Sequence, residues 1–424
     1  MSIEERPARV LIVGGGIAGL EALMALRDLA GDRVELTLVA PIPEFTYKPL
    51  TVEEPFSPVV AERHELEPWA GEFGASFVRG AVVRVESDAH TVELEDGARL
   101  SYDILVVCVG ARTRSPYREA VTFRASGESL SVDEVLARGA AHESRTVAFV
   151  VPPGVSWPLP LYELALMTRR RAEESGPRDV RLTLITPESG PLILFGRVAS
   201  DAVGELLRAR QIEFQGSAHV RQNEDADLIV TPGGRRLHAG AVVALPILDG
   251  PNLAGLPAGE QGFIPIDGHA RVPGVDDVYA AGDGTTFPIK QGGLGTQQAD
   301  AAAAHIAARL GAQVDPDLFH PVLRGQLITG AESLHLRHDL TGGHGESAAS
   351  TDYLWWPPHK VGGRYLSAWL AHERPRADLE PPSHPLEVEV AIPHEWHENP
   401  MALDPYEPID ADAWASTGRS GGGD

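Results

Sequence analysis

The chain has 424 residues and a hydrophobic fraction of 43%, enough for two or three globular domains with sizeable cores. With 60 acidic against 36 basic residues its formal charge is −24, which repels nucleic-acid phosphates and anionic lipid and argues against both as partners. A single cysteine rules out an intrachain disulfide, and no apolar run approaches the ~20 residues of a membrane span. Glu4-Glu5-Arg6 leads straight into a strand, so no signal peptide is expected. The expected location is cytoplasmic, with a peripheral place at a membrane left open.

In chain order, a β-branched run from Val10 to Val13 feeds Gly14-Gly15-Gly16-Ile17-Ala18-Gly19 and then an Ala/Leu-rich helix, Ala18 to Leu29. This is the strand, tight turn and helix that aim backbone N–H groups and a helix N-terminus at a pyrophosphate. Gly14 allows the turn, Gly16 lets the phosphate approach the backbone, and Gly19 lets the helix pack on the strand. The next strand, Val34 to Val39, ends at Ala40, where an acidic residue usually binds the adenosine ribose; Glu44 or backbone groups would have to compensate. A loop carries Phe45-Thr-Tyr-Lys-Pro-Leu50, and a strand pair from Ala81 to Leu100 alternates apolar and polar residues. A third apolar strand runs through Gly97-Ala-Arg-Leu-Ser-Tyr-Asp-Ile-Leu-Val-Val-Cys-Val-Gly-Ala111.

A second alternation follows: strand Thr146 to Val151, helix Leu161 to Glu174, strand Val180 to Ile185, helix Ala199 to Arg210 and strand Asp227 to Thr231. Strand Val278 to Ala281 then ends in Gly282-Asp283, followed by a glycine-rich turn and an Ala-rich helix, Gln297 to Leu310. The Asp283 carboxylate suits a ribityl hydroxyl, and the helix start near Gly293 suits an isoalloxazine carbonyl. The pairing of these two halves reads as a flavin site.

In this pairing the chain resembles the FAD-dependent pyridine nucleotide-disulfide oxidoreductase superfamily, and within it the sulfide:quinone oxidoreductases and type II NADH dehydrogenases. The resemblance runs over roughly Val10 to Ala308 and includes the Cys108 to Ala111 segment, where the family usually has Thr-Gly and this chain has Val109-Gly110. It implies FAD held by Gly14, Gly16, Ile17, Ala18, Gly19, Gly110, Gly282, Asp283 and Gly293. It also implies Lys48 and Pro49 on a segment passing beside the flavin, and Lys290 near the isoalloxazine edge. Solvated surface lysines are the alternative at positions 48 and 290.

Disulfide reductases of the superfamily carry electrons through a cysteine pair, and sulfide oxidation likewise uses cysteines. Cys108 stands alone in a buried strand, so dithiol and persulfide routes are set aside. No His/Cys cluster has metal-ligand spacing, and no metal is expected. At the second nucleotide turn the chain reads Pro152-Pro-Gly-Val-Ser-Trp-Pro-Leu-Pro-Leu-Tyr-Glu163 in place of G-x-G-x-x-G. Only Gly154 survives there, and prolines remove the N–H donors that cradle a phosphate. Glu163 stands where family members often have a glutamate near the nicotinamide, and Glu188 at a strand end is a weak candidate ribose ligand. NAD(P)H therefore stays open as a second cofactor.

The expected fold class is α/β, with two Rossmann-like three-layer domains and a small C-terminal unit. Residues 1–118 and 246–312 form the FAD-binding domain, 119–245 a degenerate NAD(P)-type domain, 313–372 an interface unit and 373–424 an acidic Pro-rich tail. Leu354-Trp-Trp-Pro-Pro-His-Lys360 is aromatic enough to wall a quinone or partner pocket, with core or interface packing as the alternative. Helix Gly363 to His372 is too short to span a membrane. From Arg376 onward the tail is expected to be largely mobile, with Trp396 and Tyr406 as docking points.

The expected function is an FAD-dependent oxidoreductase passing electrons from a small donor to a quinone or other small acceptor, without a redox disulfide. The alternatives are an NAD(P)H dehydrogenase working through an irregular second site, and a flavin-binding scaffold or sensor for a protein partner. Assembly into homo-oligomers is left open.

Overall fold

The computed structural model describes residues 6–56, 62–125, 131–316, 318–340 and 347–373; the tail, with Trp396 and Tyr406, lies outside the described residues. Within them are the helices α1 (Ile17–Ala30), α2 (Leu66–Glu72), α3 (Val132–Ala141), α4 (Leu159–Ser175), α5 (Gly196–Ala209), α6 (Gly292–Arg309) and α7 (Leu366–Glu373).

Apolar runs buried on both faces mark the centre of a parallel sheet. Across the first sheet the strands lie in the order Val278–Ala280, Ile104–Val107, Ala8–Val13, Val34–Ala40 and Ser76–Arg79, all parallel. Successive side chains point to opposite faces. Val10 and Ile12 join the core formed with α1 and α6, whereas Leu11 and Val13 join a core with an antiparallel layer. That layer consists of Val82–Glu86, Thr91–Leu94 and Arg99–Ser101, three strands where the alternation suggested a pair.

The second sheet is also wholly parallel, in the order Val121–Thr122, Ala241–Ala244, Thr146–Val150, Arg181–Ile185 and Ile212–Gln215. Val147 and Phe149 pack towards α3, α4 and α5, while Ala148 and Val150 pack against Val220 and Val230. These last two belong to a small antiparallel sheet of His219–Gln222, Leu228–Thr231 and Arg235–Arg236. The strand expected at Asp227 to Thr231 thus forms, but in this covering sheet; Ala241–Ala244 holds the place inside the parallel one. A short β-branched run fits either environment, and its neighbours decide.

Two helix boundaries also differ from expectation. α6 begins at Gly292, five residues before Gln297, because Gln291 caps it: the Leu294 N–H donates to the Gln291 side-chain oxygen at 2.8 Å. Gly292, Gly293 and Gly295 lower helix propensity, and tertiary contact overrides that preference. α7 begins at Leu366, three residues after Gly363, where Glu21 of α1 accepts from the Tyr365 N–H at 2.8 Å and the Leu366 N–H at 2.7 Å. The C-terminal unit adds an antiparallel sheet of Val322–Leu327, Leu334–Asp339 and Ala348–Ser350.

Glu188 ties α4 to the end of the second sheet. Its side chain is fully buried and accepts from the Tyr162 hydroxyl at 2.6 Å and the Thr186 hydroxyl at 2.9 Å. Its other carboxylate oxygen is buried without a partner. Burial pushes the carboxyl up to about 7 from its ordinary 4.5, against the opposing pull of both hydroxyls. The folded chain therefore holds this proton more tightly than the unfolded one. The resulting stabilisation is full below pH 4.5 and is lost as pH rises to about 7. Replacing Glu188 with Gln should flatten the decline in denaturant stability between pH 5 and 7.5 by about 3 kcal/mol relative to the parent. An unchanged pH slope would remove this carboxyl from the account.

Candidate dinucleotide site and adjoining cavity

At the C-terminal edge of the first sheet, Gly14 has φ +117°, and a side chain there would lie 2.2 Å from the Cys108 carbonyl oxygen. A Cβ on Gly19 would lie 1.8 Å from the Gly14 carbonyl oxygen, so turn and helix meet backbone to backbone. Gly16 is exposed at the N-cap of α1, with no side chain capping the helix and nothing within 4 Å of where its Cβ would stand. Open space over a helix N-terminus, with the glycines that allow a close approach, fits a dinucleotide pyrophosphate. Ile17 and Ala18 lie under α6 and the Gly282 turn: Gly282 has φ +86° and space only for hydrogen against Ala18, while Ile17 abuts Gly292. Gly293 lies in the first turn of α6, below the Gln291 side chain.

The adenosine end is more enclosed than the sequence suggested. Leu66 of α2 stands over Gly15, where a Cβ would meet it at 2.4 Å and Ala40 at 3.2 Å. Glu44, the compensating candidate, belongs to a strand Glu44–Thr46 paired with Arg63–Glu65, and the Arg63 guanidinium bonds it at 3.4 Å.

Val109, next to the Cys108 carbonyl that lies against Gly14, lines a cavity of about 480 Å³ between the two parallel sheets. Lys48, Gly110, Asp283 and Lys290 line one side, and Gly154, Ser156 and Trp157 of the second sheet's first turn line the other. Phe123, Phe263 and Leu245 supply apolar wall. Lys48 is exposed at the start of a 3₁₀ turn, Lys48–Glu53, whose first turn contains Pro49. Gly110 has φ +69° and lies close under Gly284.

Electrostatically the cavity is a carboxylate set between two cations. Burial raises the Asp283 carboxyl above its ordinary range, and Lys290 and Lys48 pull it back. Burial also pulls Lys290 down to about 7, opposed by Asp283. Lys290 Nζ donates to the Thr285 carbonyl and sits 3.8 Å from the centre of the Phe263 ring. An acceptor, a cation near neutrality and apolar walls suit a flat heteroaromatic ring bearing a polyhydroxyl chain. The residues present therefore fit FAD.

Cys108 is 6% exposed and lies beneath the Gly14 turn, and burial pushes its thiol up to about 12. Glu163 does not line the cavity. It is wholly buried in α4, accepting from the Lys360 ammonium at 2.7 Å and the Ile328 N–H at 2.9 Å. Burial still holds it up to about 7 against the pull of Lys360. Gly154 does line the cavity, with φ +84°. Glu188, enclosed by Tyr162 and Thr186, is spent on the fold. Sequence reading missed the Lys360 pairing because its partner lies 197 residues away. It also missed Tyr47, whose hydroxyl accepts from the Val361 N–H at 2.9 Å. A lone lysine in a Pro/His segment carried no signal for the pairing. Among the described residues no group of three or more His, Cys, Asp or Glu is placed to hold a metal ion, and no helix is long and apolar enough to cross a membrane.

The family model described as pyridine nucleotide-disulphide oxidoreductase matches residues 1–141. Sulfide-quinone reductase of Aquifex aeolicus is 26% identical over 260 residues, which cover 58% of this chain and 59% of that protein, less than two thirds of its length. The ferredoxin reductase component of a chlorobenzene dioxygenase from Cupriavidus sp. is 27% identical over 386 residues, 78% of this chain and 86% of that one. The solved structure of the Aquifex aeolicus sulfide:quinone oxidoreductase has the same fold, with a TM-score of 0.69 at 21% identity over 78% of this chain and 84% of that one. With the glycine turn, the Gly282-Asp283 strand end and two parallel sheets in this arrangement, the chain is similar to the pyridine nucleotide-disulphide oxidoreductases, by sequence over residues 1–141 and by fold over most of its length.

Proposed function

We propose that this chain is an FAD-dependent oxidoreductase that passes an electron pair from a small donor to a quinone or another small acceptor, with no cysteine pair in the path. The observation that carries this reading is Asp283, a half-buried carboxylate that shares its cavity wall with Lys290 and Lys48 and feels the charge of both. The flavin, when bound, supplies the two-electron chemistry.

The chain's own residues do the rest. The first turn of α1 would receive the pyrophosphate, and Asp283 would accept from a ribityl hydroxyl. Lys290, drawn down to about 7, holds or releases a proton at Nζ near neutral pH, and a hydrogen bond from Nζ to the Thr285 carbonyl holds the side chain in place. Lys48 adds positive charge at the mouth, which favours an electron-rich ring. Trp157, Phe123 and Phe263 exclude water. Similarity to a protein named sulfide-quinone reductase supports a quinone as acceptor. The single cysteine, buried and with a raised pKa, argues against a thiol step of the disulfide-reductase kind.

A second reading, NAD(P)H dehydrogenation, draws on Gly154, which places one flexible backbone position in the cavity wall. Pro152 and Pro153 beside it, and the enclosure of Glu188, weigh against a dinucleotide on the second sheet. Anaerobic stopped-flow reduction of the purified protein decides between them. Reduction by a quinol or another small donor should outpace NADH and NADPH at equal concentration, whereas saturable bleaching by either nicotinamide at micromolar levels would reverse the ranking.

Gly16→Val should leave the fold intact, since nothing lies within 4 Å of the added carbon, yet yield protein that neither purifies with FAD nor takes it up. Gly19→Val should fail to fold, because its Cβ would collide with the Gly14 carbonyl. A yellow, FAD-replete Gly16→Val protein would count against the assigned pyrophosphate position. Cys108→Ser should keep flavin reduction within a few-fold of the parent; a thousandfold loss with FAD retained would mean that the thiol reacts.

A further inference from the structure

A second cavity, of about 830 Å³, lies apart from the flavin cavity, on the face of α6 that carries Gln297, Asp300, Ala301 and Ala304. Asp300 is eight residues beyond the start of α6, about 12 Å along the helix axis. The opposite wall is Arg324, on the strand Val322–Leu327. Trp355, Trp356 and Phe319 form aromatic sides, and Arg364 stands exposed at the rim. Nothing in the proposed redox chemistry uses this space.

Two polar groups facing it lack partners. Arg324 is 3% exposed, and among the described residues its guanidinium makes no hydrogen bond and no ion pair; only its main-chain carbonyl is engaged, by Gln291. Asp339, on the same cavity wall, offsets the Arg324 charge without bonding it, and a guanidinium is a fork of donors matched to a carboxylate. Burial lowers Arg324 only to about 10, so it is charged at neutral pH. Across the cavity, Asp300 Oδ1 is buried without a hydrogen-bond partner. Burial and the neighbouring Glu21 raise that carboxyl, opposed by Arg364. The walls on either side are rigid: the Trp355 indole N–H donates to the His359 carbonyl at 2.8 Å, and Phe319 is 2% exposed.

We propose that this cavity is a binding site for a small organic monocarboxylate with a flat apolar body, its carboxylate seated on Arg324 and its body between Trp355, Trp356 and Phe319. One deep cation matches one negative charge. A phosphate dianion would meet too few cations, with Asp315 and Asp339 also lining the cavity. The aromatic walls select a planar body over a bare anion.

The test uses the FAD-loaded protein and the probe 6-fluoro-2-naphthoate, followed by ¹⁹F NMR titration, with its primary amide as the uncharged counterpart. The acid should bind saturably, at least tenfold more tightly than the amide, and leave the visible flavin spectrum unchanged. Arg324→Met should weaken the acid at least tenfold and leave the amide as it was, and Ala304→Leu, which fills the cavity from α6, should weaken both. If Arg324→Met does not fold, the acid-to-amide ratio together with Ala304→Leu decides. Absence of saturable binding, equal affinity for acid and amide, or a shifted flavin spectrum would each overturn the proposal. So would displacement of the acid by decylubiquinone, because the cavity would then take an uncharged quinone ring.

Discussion

One seven-residue stretch, Lys360 to Leu366, is held by buried acceptors from three places in the fold. Glu163 of α4 takes the Lys360 ammonium, the Tyr47 hydroxyl takes the Val361 N–H, and Glu21 of α1 takes the N–H groups of Tyr365 and Leu366. Each acceptor is at most 1% exposed, so none of these bonds competes with bulk water. Breaking any one leaves a buried polar group unsatisfied, at a cost of about 1–3 kcal/mol or more where the group is charged. Glu163 lies on α4 beside the second sheet, and Tyr47 and Glu21 lie with the first, so the stretch ties the two halves together.

That arrangement accounts for the use made of Glu163 and Glu188. A carboxylate at either place would suit a nicotinamide nucleotide, and in this chain both are directed inward to partners on other elements. A buried carboxyl raised to about 7 is a poor solvent-facing ligand but a strong structural acceptor. The prolines at the second turn are consistent with this, since a turn that receives no phosphate has no need of its N–H donors. Structural use of these residues and an irregular second nucleotide site are one observation seen from two sides.

The first sheet was legible because its signals are local. Val10–Val13 with Gly14, Gly16 and Gly19, and Val278–Ala280 with Gly282 and Asp283, specify strand, turn and helix within about twenty residues each. What was not legible depends on partners distant in sequence. Leu228–Thr231 has a strand's composition in either sheet, and only the packing of Val230 on Val150 and Ala148 assigns it to the covering one. Gly292 and Gly293 argue locally against helix, yet Gln291 supplies the cap and α1 the packing surface. For Lys48 and Lys290 the resemblance implied a place beside the flavin, with a solvated surface as the alternative, and the fold puts both on the cavity wall with Asp283.

The two ends of α6 show how one helix serves two sites without confusing them. At its start, small residues let the Gly282 turn and α1 approach closely: a Cβ on Gly295 would stand 3.0 Å from the Gly282 Cα. Farther along, Ala304 and Asp300 line the second cavity with the C-terminal unit, and the Asp300 carboxyl still feels Glu21 of α1. Gln297 belongs to both halves, since its side chain bonds the Gly293 carbonyl at 2.7 Å and the main chain of Val322 at 2.9 and 3.0 Å. It therefore couples the position of the first turn, beside the flavin cavity, to the strand that carries Arg324.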